Sequence, residues 1–174
     1  MAGEIKLKGF KEVAKTLKAL PHKIMQNALR GGLRAGSKVF AQQMKFNINT
    51  RTGRLARSVR FYARVDNYTK LMTGKARVGT GKGGDPKAFY AHMVEFGTKA
   101  HKIQVRSPGV KALKGTNRRS VDHPGSAPRR FATLAFSISK SAALAKVQQY
   151  IRMRLKTKHG IDVPDPEAAT EGRP

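Results

Sequence analysis

The chain has 174 residues, 39% of them hydrophobic, enough for one domain whose core needs no metal or disulfide to hold it. It contains no cysteine, which excludes disulfides and thiolate metal sites and suits a reducing cytosol. Lys and Arg number 36 against 10 Asp and Glu, a net charge of +26, which points to polyanions or to acidic neighbours as partners. Asp162, Asp165, Glu167 and Glu171 against Arg173 make residues 160–174 acidic, at −3, and leave residues 1–159 at +29. We therefore expect a single domain over 1–159 and an acidic, flexible C-terminal tail over 160–174. The N-terminus has no apolar core of a signal peptide, and no stretch approaches the length of a membrane span, so no membrane partner is expected.

Phe10, Val13, Ala14, Leu17 and Leu20 follow helical spacing, and Pro21 ends that first element. From His22 to about Phe46, Met25, Leu29, Leu33, Gly36, Phe40 and Met44 recur every three or four residues, predicting a long helix with one apolar face. Gly31, Gly32 and Gly36 inside it point to close packing of another backbone rather than to a bend. Asn47 to Gly53 break the helix. Val59, Phe61, Ala63 and Val65 then alternate with Arg60, Tyr62 and Arg64 as a strand does, and Asn67 marks a turn into a returning strand over 71–79.

GTGKGGDPK, residues 79–87, reads as a mobile loop or tight turn. It lacks the Gly-Lys-Ser/Thr ending of a P-loop and no helix follows it, so it is a poor nucleotide site. Ala88 to Phe96 reads as the strongest strand, closed by Gly97. Residues 98–130 show little periodicity, with short apolar islands at 103–105 and 110–113. This long loop carries Lys99, Lys102, Arg106, Lys111, Lys114, Arg118, Arg119, Arg129 and Arg130 against Asp122, a net +8. A loop of this length in a compact domain is functional or disordered. Phe131, Leu134, Ala135, Ile138, Ala142, Ala145 and, after a phase shift, Val147, Ile151 and Leu155 predict a last helix ending near Gly160.

Glu95 stands alone among apolar residues, and three roles are open to it: general base, metal ligand, or half of an ion pair. His92 and Glu95, three apart on a strand, point to opposite faces, so with His101 and His123 they make a poor metal set. Metal-dependent phosphoryl chemistry wants clustered carboxylates, and the six acids before the tail are widely spaced. An enzyme, and with it any cofactor, is therefore not expected. The ion pair is the preferred role, with Arg54 or Arg57 as partner. The basic residues lack the aromatic interleaving of a single-strand platform and no helix-turn-helix signature appears, so sequence-independent contact with phosphates is the reading of the charge.

Three segments in order resemble a known family. TRTGRLARSVRF, FYAHMVEFGTKAH and HPGSAPRRFATLAF are similar to the head–tail joining or tail-completion proteins of long-tailed bacteriophages, the group that includes lambda minor tail protein Z. The first matches at Thr52, Gly53, Leu55 and Ser58. The second matches at Tyr90, Ala91, Glu95, Phe96, Gly97 and Thr98, and the third at His123, Pro124, Gly125, Pro128, Phe131 and Ala135. Arg129 and Arg130 separate Pro128 from Phe131, where the family has proline and phenylalanine nearly adjacent. The resemblance implies an α+β fold, a small and mostly antiparallel sheet packed by a long N-terminal and a C-terminal helix, with long basic loops. It also implies a noncatalytic virion protein of the neck, assembled in the host cytoplasm as a ring of six around the DNA path. Its partners would be the head connector or head-completion protein, the tail terminator or tail tube protein, and packaged double-stranded DNA. Lys99, Lys102, Arg106, Lys111, Lys114, Arg118 and Arg119 are the candidate contacts to the DNA lumen or a partner. The alternative is a stand-alone basic nucleic-acid-binding module.

Overall fold

The computed structural model describes residues 10–48, 52–66, 71–79, 88–105 and 111–163. Its elements are α1 (Phe10–Lys18), α2 (His22–Asn47), α3 (Arg54–Arg57), β1 (Arg60–Val65), β2 (Met72–Arg77), α4 (Ala91–Phe96), β3 (His101–Gln104), β4 (Ser120–His123) and α5 (Phe131–His159). The fold is α+β. Instead of one small sheet, the strands among the described residues form two antiparallel pairs, β1–β2 and β3–β4. Most of the glycine-rich segment, the turn at Asn67, Arg106 and residues 164–174 lie outside the described residues.

The frame is the antiparallel pair α2 and α5. A seam of small residues on α2, Ala28, Gly32 and Gly36, is buried where the helices meet. A Cβ on Gly32 would stand 2.9 Å from Ile151 Cγ1, and one on Gly36 would stand 2.6 Å from Val147 Cγ2 and 2.9 Å from the Ala143 carbonyl. The glycines are therefore sites of close approach, as their placement predicts, and the larger residues Met25, Leu29, Leu33 and Phe40 flank the seam half-buried.

Apolar clusters close the two ends of this pair. At one end Val13 and Leu17 of α1 meet Ala28, Val147, Ile151 and Leu155, and Val163, just past α5, is buried with them. Gly160, with φ 63°, ends α5 in the left-handed conformation that favours glycine. At the other end Ala41, Met44 and Ile48 meet Leu55, Val59, Ala88, Ala91, Phe131 and Ala135. The β1–β2 hairpin pairs Arg60 with Arg77 through Val65 with Met72 and lies along α2. Gly74 there lets the strand settle against Ser37, since a Cβ would meet that hydroxyl at 2.5 Å.

The first of the three motifs is a turn that feeds this end. Gly53 begins α3 with φ 63°, Leu55 is wholly buried, and buried Ser58 donates its hydroxyl to the Leu55 carbonyl at 2.7 Å. The same Ser58 oxygen accepts the Gly79 N–H at 3.3 Å, which ties the end of the β1–β2 unit to its beginning. Thr52 is exposed at the start of this turn.

Candidate functional site

Ala88 to Phe96 is not a strand. Residues 88–90 form a turn and Ala91–Phe96 is helix α4. A short, nearly continuous apolar run suits either state, and its aromatic residues favour strand on propensity alone. What decides it is the buried set: Ala88, Ala91 and Glu95 are spaced by three and four, a helical face small enough to settle on the core. Tyr90 packs half-buried against the core, and the two phenylalanines lie outside. Phe89, Met93 and Phe96 share the opposite face of this segment, and Phe96 is 75% exposed.

Glu95 is only 6% exposed, and its partners are not Arg54 or Arg57. Its Oε2 accepts the Ala132 N–H at 2.8 Å, and its Oε1 accepts the Thr133 N–H at 3.0 Å and the Thr133 hydroxyl at 2.7 Å. These amides belong to the first turn of α5, where no intrahelical acceptor exists, so Glu95 caps a helix that begins 36 residues further along the chain. Burial pushes its carboxyl up. The Ala132 amide, the Thr133 hydroxyl and amide, and the Arg130 charge outweigh that and hold it below the ordinary carboxylate range.

The backbone repeats the connection. The Arg129 N–H donates to the Val94 carbonyl at 3.0 Å and the Arg130 N–H to the Glu95 carbonyl at 3.1 Å. Arg130, the residue before α5, has φ 47° and is the one described non-glycine residue with positive φ. The Arg129–Arg130 pair that departs from the family pattern is thus accommodated as a left-handed step into α5, from which Phe131 enters the core 2% exposed.

Two glycines lock the second and third motifs together. Gly97 has φ 74°, and a Cβ on it would collide with the Ser126 carbonyl and stand 2.9 Å from Pro128 N. Gly125 has φ 87°, and a Cβ there would collide with the Thr98 carbonyl. Between them Thr98 and Ser126 exchange both backbone hydrogen bonds, at 3.0 and 3.1 Å, and their hydroxyls lie 3.2 Å apart. His123 contributes by accepting the Gly125 N–H on Nδ1 at 3.0 Å, with Pro124 between them. Tyr90 accepts the Val94 N–H at the start of α4. Glu95, Gly97, Thr98, His123, Gly125 and Phe131 therefore form one junction.

From this junction the basic segment projects. Residues 98–130 are not a structureless loop: β3 and β4 pair from His101 with His123 to Gln104 with Ser120. The strands pack chiefly on one another. Sequence patterning misses them because a four-residue strand without a core beneath it has no buried face to mark. Lys99, Lys102, Lys111, Lys114, Arg118 and Arg119 are all exposed on this arm, and Arg106 lies outside the described residues. Lys102 stands across from Asp122, the one acid of the arm. The His101 and His123 rings lie 5.1 Å apart on its other face, and His101 Nδ1 is 2.9 Å from the Lys99 carbonyl. His92 is apart from both, with Nδ1 3.0 Å from the Phe89 carbonyl. Among the described residues no three His, Asp or Glu come together as a metal site, and no helix is long and apolar enough to cross a membrane.

A protein-family model described as "Bacteriophage HK97-gp10, putative tail-component" matches residues 11–97, half of the chain. The chain belongs to this family. The match supports the phage head–tail and tail class of structural components, and with it a place in the virion, without singling out lambda minor tail protein Z. The HK97-gp10-like region runs from α1 through α4 and stops at Gly97, so it contains Glu95 while the turn Glu95 caps lies beyond it. No curated protein and no solved structure matches the chain.

Proposed function

We propose that this member of the HK97-gp10-like family is a noncatalytic structural protein of the phage neck, completing the tail end and joining it to the head connector. It acts as a ring of six subunits around the DNA path, between the connector or head-completion protein and the tail terminator or tail tube. The observation that supports this reading is the β3–β4 arm: a cationic hairpin fixed at its base, whose described strands pack chiefly on one another. Sequence-independent attraction to packaged DNA needs no more than such charge. The exposed Phe89, Met93 and Phe96 face of α4, at the base of the arm, supplies apolar surface for subunit contact. Glu95 is no candidate base, because its oxygens are occupied by the α5 amides.

The same arm suits the second reading, a stand-alone nucleic-acid-binding module, and assembly separates the two. Sedimentation and negative-stain imaging of the purified chain, alone and with connector or tail tube, should show rings. Phe89→Ser with Phe96→Ser should abolish them while circular dichroism is unchanged. Particles lacking the protein should accumulate as separate heads and tails, and intact virions in that preparation would overturn the neck reading. A persistent monomer that binds duplex tightly would favour the module.

A further inference from the structure

A second basic surface lies away from the arm. Beside the α2–α5 seam a groove of about 820 Å³ is lined on α2 by Asn27, Arg30, Arg34 and Lys38 and on α5 by Lys146 and Arg154. Arg30, Arg34 and Lys38 recur every fourth residue, so they form a row with a rise of about 6 Å per step. Lys146, Tyr150 and Arg154 form the facing row at the same interval. Among the described residues no acid lines the groove. Its floor is apolar: Tyr150 lies against Gly31, where a Cβ would collide with the ring, and Phe61 holds the Arg34 guanidinium 5.8 Å from its centroid. Arg154 donates through Nη1 to the Tyr150 hydroxyl at 3.2 Å, while its buried Nε has no acceptor.

We infer that this groove is the docking site of the chain's own acidic C-terminal segment, residues 164–174, in the same subunit. Three observations meet here. The segment holds Asp165, Glu167 and Glu171, three of the ten acids in the chain. Its anchor is fixed: Val163 is buried against Ala28 and Leu155, the neighbours of Asn27 and Arg154 at the near end of the groove. Its length suffices, because 11 residues span up to about 36 Å when extended, and the groove runs about 23 Å along α2 from Asn27 to Gln42.

A narrow concave groove with an apolar floor fits a single extended polypeptide, whereas a duplex presents a broad convex face. Each exposed ion pair is weak, but tethering supplies an effective concentration on the order of millimolar. The bound segment covers the second basic surface and leaves the arm as the cationic surface offered to other molecules. This holds whether or not the protein sits at the neck.

The chain has no cysteine, so Lys45→Cys on α2 and Thr170→Cys in the tail can carry a spin-label pair in the full-length protein. At about 20 mM salt the labels should give one narrow distance that persists on dilution with unlabelled chain. At about 1 M salt, and in Arg30→Glu with Arg34→Glu, the distribution should broaden and lengthen. Both arginines are exposed, so circular dichroism should not change in that variant. A low-salt distribution as broad as the high-salt one overturns the inference. So does a narrow distance that disappears on dilution, which would place the segment on a neighbouring copy. Duplex DNA binding that is abolished in the Arg30→Glu, Arg34→Glu variant, with the distance unmoved, would make the groove a nucleic-acid site instead.

Discussion

Glu95 concentrates three acceptor contacts in one buried carboxylate, and both the size and the pH dependence of its effect follow. Glu95→Ala should lower stability by about 3 kcal/mol, since it strands two first-turn amides and the Thr133 hydroxyl. Glu95→Gln should cost less, about 1–2 kcal/mol, because one amide oxygen remains while the NH₂ group faces a donor. The folded-state pKa is lowered, so the carboxylate's contribution is present in full above its unfolded value near pH 4.3 and fades as pH falls through the lower folded value. Urea denaturation of wild type and Glu95→Gln should therefore differ by a constant amount from pH 6 to 8, and the curves should converge below about pH 4. A difference that stays constant into that acidic range would count against the carboxylate as the cap. One signal for this role was in the sequence: Pro128, Arg129 and Arg130 lead into α5, with no Ser, Thr, Asp or Asn at the cap position. The partner amides carry no residue type, so the pairing itself could not be read.

At the scale of elements, close approach along the α2–α5 seam outweighs helix propensity. Gly36→Ala would gain up to about 1 kcal/mol in an isolated helix. Here it forces a methyl into Val147 and the Ala143 carbonyl, and should destabilise the protein by about 1–3 kcal/mol in urea denaturation. An unchanged or higher midpoint would mean that α5 can shift away. The helices were legible because each repeats its apolar period over several turns: Val13 and Leu17 in α1, Ala28 to Met44 in α2, Phe131 to Leu155 in α5. The pairing of β1 with β2 was legible by the alternation of β1. α4 was not, because six residues with an apolar outer face hold too little period to separate helix from strand. The arm was not, because β3 is exposed at every position and has no hydrophobic pattern to display. The Thr52, Gly53, Leu55 and Ser58 motif and the Gly97 and Gly125 positions were visible as residues, but that they hold one junction is a property of the folded chain.

For the whole molecule, the net charge divides into a cationic arm, a lined groove and an acidic end. If the arm meets DNA through phosphates, Lys102→Glu with Lys114→Glu and Arg118→Glu should lower duplex affinity without sequence preference. It should also reduce the slope of log K against log salt by about 0.9 for each phosphate no longer neutralised, roughly 2.7 in all. An unchanged slope, measured by fluorescence anisotropy across a salt series, would remove the arm from the DNA path. The Thr98–Ser126 exchange of hydrogen bonds has a consequence for how such a protein can change over time. It joins the two chain ends of the arm at a junction that His123 and Gly125 also hold, so the described strand residues beyond it, 101–104 and 120–122, are tied to the core through that base. The arm is then an exchangeable cassette: its length and charge can be rewritten to suit a different neighbour while the helices that carry it keep their packing.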